Sequence, residues 1–71
     1  MPVEMQPVIS TNVAEIGYDE SAEEVYVDFI TSGLYAYRGV PLHVWQEFEV
    51  AESKGGFVNQ ILKPGYPAVK L

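Results

Sequence analysis

The chain has 71 residues, enough for one small domain and not for two. Its hydrophobic content of 48% with 13% aromatic residues is that of a folded chain rather than a disordered one. It carries no cysteine, which excludes disulfides and thiolate metal sites, and its net charge of −6 opposes any broad nucleic-acid-binding surface.

That charge is unevenly spread. Residues 1–52 hold all ten acids and only Arg38, whereas residues 53–71 hold Lys54, Lys63 and Lys70 and no acid. The opening MPVEMQP has neither a basic stretch nor an apolar run of signal-peptide length, and no window reaches the ~20 apolar residues of a membrane-spanning helix. A cytoplasmic protein without membrane attachment is expected.

In chain order, residues 1–7 contain Pro2 and Pro7 without periodicity and read as a flexible leader to a single domain, 8–71. VISTNVAEIGYD (8–19) reads as a first strand with an irregularity at Thr11-Asn12. EEVYVDFI (23–30) alternates as a second strand, Val25, Val27 and Phe29 on one face and Tyr26, Asp28 and Ile30 on the other. The turn that follows allows two registers. A two-residue loop, Ser32-Gly33, would put Phe29 opposite Ala36. A three-residue loop with Gly33 at positive φ would pair Ile30 with Leu34, Phe29 with Tyr35 and Val27 with Tyr37. The second is preferred because it gathers Val25, Val27, Phe29, Tyr35 and Tyr37 on one apolar face.

Val40-Pro41 ends the third strand and starts a helix over 41–53, with Val44, Trp45, Phe48 and Ala51 as its apolar stripe. His43, Gln46, Glu47, Glu49 and Glu52 fall mostly on the water side. Gly55-Gly56 is expected to break this helix and reverse the chain, and FVNQILK (57–63) to form a second helix that Ser53 could cap. YPAVKL reads as an extended tail. The expected fold is α+β: a three-stranded antiparallel meander followed by two helices packed on one sheet face, β-β-β-α-α. Its core comprises Val25, Val27, Phe29, Tyr35, Tyr37, Trp45, Phe48, Val58 and Leu62.

These residues carry a family resemblance. Tyr35-Ala36-Tyr37 matches a central YxY motif. Around it stand Gly17-Tyr18-Asp19, Val27 and Phe29, Gly33, Val40-Pro41, Ala51, Ser53 and Gly55, and Asn59. Over about residues 8–70 the chain resembles the KTSC domain, a short module at the C-terminus of some lysyl-tRNA synthetases and in stand-alone bacterial and phage proteins. The resemblance implies an α+β fold and, by association with the synthetase, RNA binding.

Each residue with possible chemistry also has an ordinary structural role. Tyr35 and Tyr37 could stack bases if exposed. In the preferred register they are core residues. A lone histidine, His43, without cysteines or paired carboxylates at metal spacing, supplies neither a metal site nor a catalytic base. The four serines sit at turn or cap positions, and Lys54-Gly55-Gly56 lacks P-loop spacing. No enzyme, metal or cofactor is expected.

Two surfaces remain. The sheet face opposite the helices carries Tyr26, Ile30, Leu34, Ala36 and Arg38 and could meet a protein partner or a second copy. The basic C-terminal portion, with Lys54, Lys63, Tyr66 and Lys70, could make a weak RNA contact.

Overall fold

A computed structural model describes residues 3–71. The architecture is α+β, with five antiparallel strands rather than three, in the order β1-β2-β3-β4-β5. They are β1 (Met5–Pro7), β2 (Val13–Asp19), β3 (Glu24–Phe29), β4 (Gly33–Arg38) and β5 (Ala68–Lys70). Helix α1 (Leu42–Val50) follows β4. Next, α2 (Lys54–Phe57) runs through a π-helical stretch, Val58–Leu62, into a last helical turn, α3 (Lys63–Gly65).

Both extra strands come from segments whose sequence shows no alternation. Residues 5–7 of the expected leader pair with β2, Met5 against Gly17 and Gln6 against Ile16; residues 1 and 2 lie outside the described residues. The tail pairs with β4 as β5, and the Leu71 amide extends the ladder by donating to the Leu34 carbonyl at 2.9 Å. A strand of three residues has too little pattern to read, and the neighbouring ladder supplies the order.

The strand expected over 8–19 is β2 and begins at Val13 rather than Val8, with a bend at Thr11-Asn12 before it. The register irregularity lies one step on, between Val13 and Glu15. At the next turn, Asp19 accepts hydrogen bonds from the Ser21 amide at 3.2 Å, the Ser21 hydroxyl at 2.8 Å and the Ala22 amide at 3.3 Å. These hold its carboxyl below the ordinary range, the Ser21 side-chain bond contributing most.

The β3–β4 hairpin has the expected faces but a different register. Phe29 pairs with Gly33, Val27 with Tyr35 and Val25 with Tyr37, two residues away from the expected pairing. Gly33 does adopt positive φ, +91°. Because the slip is two residues, every side chain keeps its face. Ile30 leaves the sheet and is exposed in the turn.

Pro41 precedes α1 instead of occupying its first turn, and its carbonyl accepts from the Val44 amide at 3.0 Å. Val44, Trp45 and Phe48 are buried and His43, Gln46, Glu47, Glu49 and Glu52 exposed, as the helical spacing requires. The glycine pair does not end α1, which stops at Val50 with Ala51 already extended. Gly55 and Gly56 lie inside α2, whose N-terminus Ser53 caps by accepting from the Gly56 amide at 3.0 Å. A Cβ on Gly56 would stand 2.8 Å from the Ser53 hydroxyl oxygen, and one on Gly55 would stand 3.2 Å from the Asn12 side-chain nitrogen. The pair permits close approach, not reversal.

Downstream, the Lys63 amide donates to the Val58 carbonyl, five residues back. Pro64 follows at once and has no amide proton to continue α-helical bonding, so the wider turn fits the chain around its ring.

The core contains Val13, Ile16, Val25, Val27, Tyr37, Val40, Val44, Trp45, Phe48, Val58 and Leu62, with Phe29 and Tyr35 half-buried at its edge. Among the described residues no helix is long and apolar enough to cross a membrane.

Candidate functional site

Strand β4 exposes different residues on its two sides. Tyr35 and Tyr37 point to the helices; Leu34, Ala36 and Arg38 point away.

On the helix side Tyr37 is only 2% exposed, while Tyr35 is half-buried and meets Phe29 edge-on, ring centroids 5.5 Å apart. The pair is therefore not an open stacking platform. Its polar edge is accessible nonetheless: Phe29, Ser32, Tyr35, Tyr37 and Lys63 line a pocket of about 170 Å³. Burial, and secondarily the neighbouring Tyr35, raises the Tyr37 phenol above its ordinary range, so the hydroxyl stays protonated. Lys70 sits directly across the strand from Tyr35.

On the other side no helix of the described residues covers the sheet. Cross-strand pairing aligns Met5, Gly17, Tyr26, Ala36 and Val69 in one apolar row across all five strands. Glycine at 17 lets β1 come close, since a Cβ there would lie 2.6 Å from the Met5 sulfur and 2.9 Å from the Glu4 carbonyl oxygen. Ala36 is 3% exposed between Tyr26 and Val69, and Leu34 and Tyr26 are half-buried. Charged groups border the row. Asp19, Glu24 and Arg38 align at one end, with Arg38 paired to Glu24 at 3.2 Å, and Glu15 and Asp28 align at the other beside Leu34. The Tyr26 hydroxyl donates to Glu24 at 3.0 Å, which raises its pKa, since ionisation would set two anions together.

Of the expected contact face, Tyr26, Leu34, Ala36 and Arg38 share one surface and Ile30 does not. Met5, Gly17 and Val69 belong to it and were missed because their strands, or the close approach of β1, left no readable signal.

The four candidate RNA residues are dispersed. Lys54 donates to the Glu49 carbonyl at 3.0 Å and the Ala51 carbonyl at 2.6 Å, capping the end of α1. Tyr66 packs against the core. Only Lys63 and Lys70 flank the tyrosines. His43 is exposed on α1, and the described residues contain no group of three potential metal ligands.

Sequence reasoning also missed the role of Tyr18. It stacks on Trp45 with centroids 5.4 Å apart and donates from its hydroxyl to the Val40 carbonyl at 2.7 Å, clamping the strand-to-helix corner. Burial, then nearby acids, raises its pKa.

A five-stranded meander with two helical segments on one face and paired tyrosines on its fourth strand defines the class of this domain. The KTSC domain family matches residues 9–66, and the chain belongs to that family. It is 40% identical over 67 residues to a protein of Tsukamurella paurometabola, covering 94% of this chain and 100% of that one. It is 36% identical over 55 residues to an uncharacterized protein of Stutzerimonas stutzeri, covering 78% of each. The crystal structure of a KTSC domain protein from Yersinia pestis superposes with a TM-score of 0.94 at 34% identity, over 99% of both chains.

Proposed function

We propose that this KTSC chain is a non-catalytic protein-contact module that uses the uncovered face of its sheet, with a second copy as the partner. The observation that supports this is the apolar row from Met5 to Val69, which crosses all five strands with charge only at its borders. An apolar centre inside a polar rim is the usual anatomy of a protein contact. The ends hold one arginine, already paired to Glu24, against four acids, so pairing with a second copy rests on the apolar row rather than on charge. A small chain without disulfides also gains stability from pairing.

The RNA reading has weaker support. Lys54 is held by the end of α1, and the net charge of −6 repels a phosphate backbone.

Sedimentation velocity over a range of concentrations tests the proposal. A dimer that Leu34→Asp dissociates, with the melting temperature of the monomer retained, is the expected result. A monomer at every concentration, or a dimer indifferent to Leu34→Asp, overturns it. So would salt-sensitive tRNA binding abolished by changing Lys54, Lys63 and Lys70 to glutamine while no dimer is seen.

A further inference from the structure

The pocket beneath the YxY pair plays no part in the sheet-face contact, and it has the chemistry of a site. We infer that it binds a small oxyanion, a carboxylate or a single phosphate group.

Four of its five lining residues offer hydrogen-bond donors: the Ser32, Tyr35 and Tyr37 hydroxyls and the Lys63 ammonium group. None is an acid. Lys70, the cross-strand neighbour of Tyr35, adds a second positive charge at the rim. Phe29, edge-on to Tyr35, forms the apolar wall of the pocket.

Tyr37 carries the argument. The residue is 98% buried, yet its hydroxyl has no hydrogen-bond partner among the described residues. No described buried side-chain oxygen is left without a partner, so this hydroxyl must reach the open space of the pocket. A phenylalanine would fill the core equally well; the hydroxyl bonds no described protein group and is open to the pocket, where a ligand oxygen can replace water as its acceptor. The pocket, about 170 Å³, has room for one carboxylate or phosphate group. Excess donors and positive charge together select an oxyanion.

The surface is separate from the uncovered sheet face, so the two proposals fail independently. The test is an amide-resolved NMR titration with inorganic phosphate and, separately, with acetate, each against sodium chloride at matched ionic strength and pH. Saturable shifts confined to Ser32, Tyr35, Tyr37, Lys63 and Lys70, with either anion and not with chloride, are expected; the tighter of the two identifies the chemical source. Lys63→Gln, at an exposed position, should weaken binding about tenfold, the usual scale for one charge-assisted bond. Tyr37→Phe keeps the core ring and should weaken it severalfold, with the rest of the spectrum unchanged. Shifts equal to those with chloride, shifts that follow all three lysines including Lys54, or unchanged affinity in both variants overturn the inference.

Discussion

Gly17→Ala tests the strand that the sequence did not reveal. Two effects oppose each other at this site. Replacing glycine in a strand reduces the entropy lost on folding and favours the variant by about 0.5–1 kcal/mol. Against this, the new methyl group would meet the Met5 sulfur at 2.6 Å, a Val3 methyl at 2.9 Å and the Glu4 carbonyl oxygen at 2.9 Å. The thioether can swing aside, but the carbonyl belongs to the backbone leading into β1, so the strand itself must move. Overpacking of this kind costs about 1–3 kcal/mol, which exceeds the gain. The net loss should be about 1–2 kcal/mol, and each kcal/mol lowers Tm by about 4–8 °C in a domain of this size. Gly65→Ala is the control: a Cβ there meets nothing within 4 Å and its φ is not positive, so it should leave Tm unchanged or slightly raised. Thermal unfolding measures the loss, and amide exchange locates it. The Val8 amide, which donates to the Ala14 carbonyl at 3.1 Å just past β1, should lose protection while β3 and β4 keep theirs. A Gly17→Ala variant as stable as the parent, with Val8 still protected, would refute the close packing of β1 on this face.

Two further perturbations address the core and the first hairpin. Trp45→Ala removes a ring that stacks on Tyr18 and meets Phe48 edge-on at 5.9 Å. A loss of about 3–5 kcal/mol is expected, out of about 4–10 kcal/mol available to a chain of this length. Chemical denaturation measures it, and a midpoint equal to the parent's would remove Trp45 from the core. Asp19 has a depressed pKa in the folded state, so the stability it confers is complete above the ordinary carboxylate value and is lost as pH falls through the folded value. The stability difference between parent and Asp19→Ala should therefore shrink on going from neutral pH to about pH 3; a constant difference would show that the Ser21 and Ala22 bonds do not depend on the carboxylate charge.

The parts of the fold legible in the sequence are those in which local pattern and tertiary burial agree. Val25, Val27 and Phe29 alternate because one sheet face is buried, and Val44, Trp45 and Phe48 recur at helical spacing because one helix face is. Where tertiary contact overrides local preference, the reading fails. Gly55 and Gly56 read as a break by propensity, yet they lie in a helix that the Ser53 cap starts, where a Cβ would crowd Asn12 or Ser53. Met5–Pro7 and Ala68–Lys70 are strands only because β2 and β4 present unpaired edges to them. The hairpin register slipped by two because either pairing satisfies the hydrophobic alternation, and only the turn geometry distinguishes them.

The same parity governs the site. In β4 the motif Tyr35-Ala36-Tyr37 reads as one feature in sequence, but the pleat divides it between two surfaces. The tyrosines help close the core and line the pocket with Lys63, while Ala36 lies in the middle of the apolar row on the uncovered face. Alanine there is almost fully buried between its cross-strand partners Tyr26 and Val69. Spacing alone could therefore give the face of each residue but not the pocket, whose other walls come from the turn at Ser32 and from Lys63 at the end of the π-helical stretch. The π-helical stretch ends with Lys63 beside the tyrosines, and β5 returns along β4 to place Lys70 next to Tyr35. A substitution in the motif consequently acts on one surface or the other according to whether its number is odd or even.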